Sequence, residues 1–257
     1  MRNQISNTLL SELLPVGVSS FVFDSLPSTN TYLRERARSG APEHTLIVAA
    51  SQTNGRGRFG REFFSPPDTG VYFSLLLRPA PEKNTAALVT VAAALASAEA
   101  CEAVFCVPAE IKWVNDVLVN GQKVVGILAE AFINVDNYVI LGIGANIVPP
   151  SSGFPPELSG AGAFTDHAPS GSRERFVAET VSRLLVYLEH PDCLSIVSAY
   201  RERVRMTGKK VVVTKGPEQF VATVVGIDDD ARLIVSRADG SEEYLSYGEV
   251  TLHNENN

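Results

Sequence analysis

The residues with the clearest chemical potential are three arginines set among three glycines in residues 55–61. In order, this arginine segment contains Gly55, Arg56, Gly57, Arg58, Phe59, Gly60 and Arg61. Glycine lets backbone N–H groups approach a ligand closely, and an arginine guanidinium matches phosphate oxygens with two parallel hydrogen bonds. The segment therefore predicts a site that binds the phosphates of a ligand.

The glycine spacing of the arginine segment also satisfies the G-x-G-x-x-G pattern of dinucleotide-binding enzymes. In those enzymes the motif opens a helix whose N-terminus faces the pyrophosphate. Here the chain runs on to Pro66 and Pro67, which do not fit inside such a helix. A phosphate loop is favoured over a dinucleotide site.

The composition of the arginine segment is also typical of a disordered basic loop. The phosphate-loop and disordered-loop interpretations merge if the loop becomes ordered on binding.

A predicted hairpin follows later in the chain. Residues 109–119 and 122–132 have the composition of strands, and Asn120-Gly121 between them is typical of a two-residue type I′ turn. This turn predicts that Asp116 lies opposite Val125 across the hairpin.

The predicted hairpin places several polar residues close together. Because side chains alternate between the faces of a strand, Lys112, Asp116 and Lys123 are expected on one face. A cross-strand ion pair accounts for one lysine and one aspartate, whereas the further Lys112, Asn115 and Gly126 favour a ligand site.

The elements that position these residues alternate between strands and helices. A helix is predicted to begin near Thr29, capped by Ser28 and stopped by Gly40. Residues 149–171 are rich in Pro, Gly and Ser and predict a long loop. Further strands are predicted over 45–51, 71–78 and 138–147, and further helices over 85–103, 173–187 and 194–204. Short β-rich runs after Gly208 predict a small β-barrel, formed by residues 210–214, 219–227, 233–236 and 242–245.

Composition restricts the class of protein. The chain has 257 residues, 45% of them hydrophobic, and a net charge of -7, which argues against broad binding to nucleic acid or to an anionic membrane. The N-terminus does not resemble a secretory signal, so a cytoplasmic location is expected. The three cysteines form no CxxC pair and the four histidines are scattered, which predicts neither a disulfide framework nor a zinc site.

Five motifs occur in an order and spacing that resemble the biotin protein ligases. They are Ser28-Thr29-Asn30, the sequence from Ser51 to Arg61, Lys112-Trp113-Val114-Asn115-Asp116, Lys123-Val124-Val125-Gly126-Ile127-Leu128 and Gly142-Ile143-Gly144-Ala145-Asn146. The resemblance covers residues 20–147 by motif and the β-rich tail by architecture. It implies an α+β fold, with a mixed-sheet catalytic domain over residues 1–206 and an SH3-like β-barrel over 207–257.

This resemblance implies an ATP-dependent ligase that acts in two steps. Biotin is first activated as biotinyl-5′-AMP, with release of pyrophosphate, and a lysine of a biotin carboxyl carrier protein then takes the biotinyl group. ATP, Mg²⁺ and biotin are the implied small molecules. Since two anions meet in the first step, cations that neutralise phosphate charge matter more than a covalent nucleophile.

The resemblance also assigns residues to roles. Arg58 and Lys123 are the implied catalytic residues, and Asp116 is the implied Mg²⁺ ligand. The implied biotin-binding residues are Ser28, Thr29, Asn30, Gln52, Gly55, Arg56, Gly57, Arg58, Lys123 and Gly126. The implied ATP and adenylate residues are Arg56, Arg58, Arg61, Phe63, Lys112, Trp113, Asn115, Asp116, Lys123 and Asn146.

Two departures from the family pattern are visible: Val114 replaces a frequent proline, and Phe63 offers a smaller stacking face than the tryptophan of some members. The Ser28-Thr29-Asn30 motif comes too early for the DNA-binding domain of bifunctional relatives, so a monofunctional enzyme without a nucleic-acid partner is expected. Edge strands would allow a homodimer. Two alternatives stay open: a lipoate ligase with related chemistry, and a non-enzymatic interaction module.

Overall fold

The computed structural model describes residues 5–78, 85–132, 137–189 and 192–252. The helices in this part of the chain are α1 (Asn7–Leu13), α2 (Thr29–Arg38), α3 (Thr85–Phe105), α4 (Ser172–Glu189) and α5 (Cys193–Arg203). One sheet contains β1 (Ser19–Phe23), β2 (Thr45–Ala49), β3 (Gly70–Leu77), β4 (Glu110–Lys112), β5 (Asp116–Val119), β6 (Gln122–Phe132) and β7 (Tyr138–Asn146). A second contains β8 (Lys210–Lys215), β9 (Glu218–Ile227), β10 (Leu233–Arg237), β11 (Glu242–Leu245) and β12 (Glu249–Leu252).

The larger sheet has helices on both faces. Its strand order is β1-β2-β3-β7-β6-β5-β4, with β1 parallel to β2 and the other neighbours antiparallel. Alternation along β2 shows why: Leu46 and Val48 belong to the core beside α3, whereas Ile47 and Ala49 pack with Leu33 of α2. The mixed sheet with packed helices confirms the predicted α+β class.

Helix α3 is the central core helix. Residues 86–105 are long and apolar enough to cross a membrane, with a mean hydropathy of 1.6. In this protein, however, the helix packs against β6, α4 and α5, and its residues 91–96 are fully buried. Its apolar composition therefore serves the packing of the core.

The C-terminal sheet corrects one sequence expectation. Its five strands pair antiparallel in the order β11-β10-β9-β8-β12, which leaves β11 and β12 at opposite edges instead of closing the predicted barrel. Both edge strands are short, and the turn between them, including Gly248, contacts the arginine segment. The chain thus forms a small antiparallel β domain with an open sheet.

The predicted strand over residues 109–119 is wrong in one respect. The structure divides it into β4 and β5, which pair with each other around a turn that contains Trp113, Val114 and Asn115. Contacts distant in sequence hold this turn: the Trp113 indole N–H donates at 3.0 Å to the carbonyl of Ala231, in the turn between β9 and β10. Local strand propensity does not encode that contact.

Candidate active site

The arginine segment is an ordered hairpin. The Gly57 N–H donates to the Arg61 carbonyl at 2.8 Å, and the Phe63 N–H donates to the Gly55 carbonyl at 2.9 Å. An added Cβ at Gly55 would overlap the Phe63 carbonyl, so a residue without a side chain is required where the two arms meet. The tip carries Phe59 at a positive φ of 56° with its ring exposed.

Arg58 links the β4–β5 turn to the turn between β11 and β12. Its Nη1 donates to Asn115 Oδ1 at 2.9 Å, and its Nη2 donates to the Gly248 carbonyl at 3.2 Å. Burial lowers the pKa of Arg58, and the nearby Asp116 and Glu249 carboxylates oppose that shift. The cation is thus partly desolvated, in the place where the hairpin, the β4–β5 turn and the C-terminal domain meet.

Asn115 is fixed by the neighbouring strand. Its backbone carbonyl accepts from the Ile127 N–H at 3.0 Å, and its side-chain amide donates to the Ile127 carbonyl at 2.9 Å. The Asn115 oxygen therefore faces Arg58 with little rotational freedom.

Asp116 and Lys123 form the second charged group of the site. Lys123 Nζ lies 2.7 Å from Asp116 Oδ1, so the predicted proximity of this pair is observed. The predicted register is wrong by one residue, because a bulge between Val117 and Leu118 places Asp116 opposite Gly126 rather than Val125. Lys112 lies opposite Asp116 in the ladder, and its side chain forms no hydrogen bond or ion pair within the described part of the chain.

Asp116 is the carboxylate at this site that the sequence predicts as a cation ligand. Asp116 Oδ1 is buried, and the ammonium group of Lys123 neutralises it from 2.7 Å. The described residues contain no group of three His, Cys, Asp or Glu that could hold a metal. One carboxylate fits Mg²⁺ bound mainly through phosphate oxygens and water, as this ion prefers.

A network of polar side chains surrounds the N-terminus of α2, where Ser28 caps the helix by accepting from the Thr31 N–H. The Thr29 N–H and hydroxyl both donate to Gln52 Oε1, at 2.9 and 3.2 Å. The Gln52 amide donates to Ser65 Oγ at 3.1 Å. Since these groups are buried or half-buried and already oriented, they form a preorganised set of donors and acceptors.

Phe63 packs on two glycines of the sheet. Gly126 and Gly144 are cross-strand partners, and a Cβ added to either would strike the Phe63 ring. Lys123 Nζ lies 5.8 Å from the centre of the same ring. The sequence predicted that a ligand could approach the backbone closely at Gly126. In this structure the Phe63 ring occupies that position.

The long loop over residues 149–171 is attached to the site. The Lys123 N–H donates to the Gly160 carbonyl at 2.8 Å, and the Gly162 N–H donates to the Lys123 carbonyl at 2.9 Å. Asn146 holds the same stretch, because its side-chain amide donates to the Gly162 carbonyl at 3.0 Å. Asn146 thus supports the backbone beside Lys123.

The remaining predicted residues lie at the edges of this cluster. Arg56 pairs with Glu130 at 3.0 Å, and Arg61 pairs with Glu249 of β12. Trp113 is 4% exposed and faces the C-terminal domain rather than the charged groups. Its predicted contact with the nucleotide stays a prediction.

Several residues at the site were not predicted from the sequence. Ser74 is fully buried between Thr29 and Asn30, and the Tyr200 hydroxyl donates to the Val114 carbonyl at 3.1 Å. Burial raises the pKa of Tyr200, as does the charge of Asp116, whereas the charge of Arg58 opposes the shift. Ser74 could have been noticed in the sequence, because it is a polar residue inside an otherwise apolar strand. No feature of the sequence pointed to Tyr200.

Comparison with known proteins identifies the family. The family model described as the biotin/lipoate A/B protein ligase family matches residues 22–146, and that of the biotin protein ligase C-terminal domain matches residues 207–252. The chain is 31% identical over 231 residues to the biotin–[acetyl-CoA-carboxylase] ligase of Mycobacterium tuberculosis, across 87% of this chain and 85% of that protein. The chain belongs to the biotin protein ligase family. Another member, the bifunctional ligase/repressor BirA of Bacillus spizizenii, is 32% identical over 232 residues, across 87% of this chain and 71% of that protein.

The fold of this biotin protein ligase also agrees with solved structures. The biotin protein ligase from Aquifex aeolicus in complex with biotin and ATP matches with a TM-score of 0.76 at 24% identity, across 92% of this chain and 99% of that one. The Helicobacter pylori biotin acetyl coenzyme A carboxylase synthetase matches with a TM-score of 0.65, across 88% and 99% of the two chains, at 21% identity. These likenesses confirm that the protein has the biotin protein ligase fold, and the family membership confirms that it is an enzyme.

Proposed function

We propose that this enzyme activates biotin with ATP and transfers the biotinyl group to a lysine of a biotin carboxyl carrier protein. The observation that carries the proposal is that two cations bind neighbouring residues of the chain. Arg58 donates to Asn115, and Lys123 pairs with Asp116. The Aquifex aeolicus ligase, whose solved complex contains biotin and ATP, supports the choice of small molecules.

In the first step, a biotin carboxylate oxygen forms a bond to the α-phosphorus of ATP. The bond from that phosphorus to the bridging oxygen breaks, and pyrophosphate leaves with the electron pair. Two anions must approach each other, so Lys123 lies between carboxylate and α-phosphate while Arg58 binds the phosphate oxygens. Asp116 would hold Mg²⁺ here, and the bound ion would supply further positive charge against the phosphates.

In the second step, the neutral amine of the carrier lysine attacks the biotinyl carbonyl carbon. The bond from that carbon to the phosphate oxygen breaks, AMP leaves with the electron pair, and the nitrogen loses a proton to solvent. The mixed anhydride must be protected from water until the carrier arrives. Arg58 suits this role because it is itself partly desolvated and is hydrogen-bonded to turns of both domains. Its hydrogen bonds to neutral acceptors can be replaced by stronger ones to phosphate.

The network at the start of α2 is proposed to recognise the ureido group of biotin. Ser28, Thr29 and Gln52 offer hydroxyl and amide groups that match a planar urea, with one acceptor and two donors. Their mutual hydrogen bonds hold them in position, which lowers the entropy lost on binding. The remaining residues of the arginine hairpin, together with Lys112 and Asn146, are proposed to surround the nucleotide.

Several finer features remain proposals. The division into a catalytic domain over residues 1–206 and a C-terminal domain over 207–257 is supported by the change from α5 to the second sheet. The net charge of -7 supports an enzyme without a DNA-binding role. Cytoplasmic location, the carrier partner and a homodimer stay predictions from the sequence.

Exchange of labelled pyrophosphate into ATP tests the proposed function. We expect exchange that depends on biotin and not on lipoate. Exchange with lipoate alone would replace biotin by lipoate as the substrate. Absence of exchange with either acid would favour the non-enzymatic interaction module instead.

A further inference from the structure

Glu130 connects two parts of the site that are distant in sequence. Its Oε1 accepts from Arg56 Nη1 at 3.0 Å, and its Oε2 accepts from the side-chain amide of Asn30 at 2.9 Å. Glu130 lies on β6, Asn30 on α2 and Arg56 in the arginine hairpin. One carboxylate therefore joins the hairpin to the helix that carries the proposed biotin-binding residues.

Asn30 is held too firmly to act as an independent group. It is 4% exposed, and its Oδ1 lies 2.6 Å from Ser74 Oγ. Its side chain fills the space that a Cβ at Gly142 would need. Both the oxygen and the amide nitrogen of Asn30 are thus occupied within the protein.

The hydrogen bonds continue from Asn30 to the far arm of the hairpin. Ser74 Oγ lies 2.8 Å from Thr29 Oγ1, which itself donates to Gln52. Gln52 donates to Ser65 Oγ, which donates to the Phe63 carbonyl at 2.8 Å. The chain of polar groups therefore begins at Arg56 on one arm and ends at Phe63 on the other.

We propose that Glu130 is a positioning residue that couples occupancy of the biotin pocket to the order of the arginine hairpin. This inference rests on the proposed function, because it takes Thr29 and Gln52 as biotin ligands. A ligand on these two residues restrains the hydrogen-bonded chain, and Glu130 passes that restraint to Arg56. By linkage, the docked hairpin in turn holds biotin more tightly.

The test uses Glu130→Gln in the full-length protein. Glutamine keeps the size of the side chain but presents one oxygen and one NH₂ group, so one of the two donor partners then faces a donor. Trypsin cleaves after arginine, and cleavage after Arg58 and Arg61 reports the order of the hairpin. Rates are measured without biotin and with biotin at concentrations that calorimetry shows to be saturating. Glu179→Gln is the matched control, because it removes an ion pair to Arg183 on the distant helix α4.

We expect biotin to protect the wild-type hairpin and the Glu179→Gln control equally. Protection of Glu130→Gln is expected to be about tenfold weaker at saturation, and its Kd for biotin about threefold higher. Arg56→Gln should show the same loss, and the double variant Glu130→Gln/Arg56→Gln should lose no more than either single variant.

Two results would overturn the role of Glu130: full protection of the biotin-saturated Glu130→Gln variant, or losses that multiply in the double variant. Comparison of each variant with and without biotin separates coupling from a general loss of stability. Failure of the wild-type protein to bind biotin would instead overturn the proposed function. A wild-type protein that binds biotin without any protection of the hairpin would overturn the coupling alone.

Discussion

The guanidinium of Arg58 donates a hydrogen bond to the backbone carbonyl of Gly248, in the turn between β11 and β12. The same guanidinium donates to Asn115 in the turn between β4 and β5, so one side chain joins both domains at the site. The ion pair between Arg61 and Glu249 adds a second link. The C-terminal domain therefore takes part in placing the arginine hairpin.

Arg58→Ala should release biotinyl-5′-AMP early. The variant loses charge-assisted hydrogen bonds to phosphate, which corresponds to a release rate about tenfold to a hundredfold higher. Release is measured by filtration of the enzyme loaded with labelled biotin. Arg58→Lys keeps the charge without the two-pronged geometry and should fall between Ala and wild type. Wild-type retention in Arg58→Ala would remove Arg58 from its proposed role.

Lys123→Ala should nearly abolish formation of the adenylate. The variant leaves two approaching anions without their shared cation, so the rate of pyrophosphate exchange should fall by about a hundredfold or more. Biotin affinity should fall far less, since the α2 network remains intact. Asp116→Asn is the comparison: it should keep Lys123 in place but raise the Mg²⁺ concentration needed for half-maximal exchange. An unchanged exchange rate in Lys123→Ala would contradict the mechanism.

The sequence predicted the order and type of most elements, because long apolar runs such as α3 and β7 determine their own structure. It also predicted the meeting of Asp116 and Lys123, since the Asn120-Gly121 turn fixes the pairing near it. The β4–β5 turn was missed because Trp113 finds its partner at Ala231, 118 residues away in the chain. The contact between Arg58 and Gly248 depends on how the two domains pack. Local sequence patterns do not predict that packing.

Gly144→Ala should destabilise the protein through the Phe63 ring. The added methyl group overlaps ring atoms that already lie against the sheet, and overpacking of this kind costs ~1–3 kcal/mol of unfolding free energy. Phe63→Ala removes the ring that the methyl group strikes. The double variant should therefore be more stable than the sum of the two single effects predicts, as measured by denaturant unfolding. Additive losses would show that the ring does not limit substitution at this glycine.

The pair formed by Glu102 and Arg203 predicts a pH dependence of stability. Arg203 donates two hydrogen bonds to the Glu102 carboxylate, at 2.7 and 3.0 Å. These bonds hold the pKa of Glu102 below its ordinary value of 4.5, against the opposing effect of burial. A carboxyl group whose pKa falls on folding stabilises the protein above its unfolded-state pKa, and this contribution disappears as the pH falls through the folded-state pKa.

Glu102→Gln should therefore lower the free energy of unfolding near neutral pH, by less than ~1 kcal/mol because the pair is partly exposed. Below its folded-state pKa, wild type and variant should become equally stable. Urea unfolding across this range of pH measures the difference. A difference that stays constant into acid would assign the effect to packing rather than to ionisation.

In the proposed mechanism, Arg58 and Lys123 form one site at which biotin and ATP become biotinyl-5′-AMP. The most direct measurement mixes enzyme, biotin, ATP and Mg²⁺ without a carrier protein and quantifies the enzyme-bound adenylate by chromatography. Wild type should accumulate the adenylate in a stoichiometric amount, Arg58→Ala should release it into solution, and Lys123→Ala should form almost none. Absence of the adenylate from wild type, or its equal formation by Lys123→Ala, would contradict this mechanism.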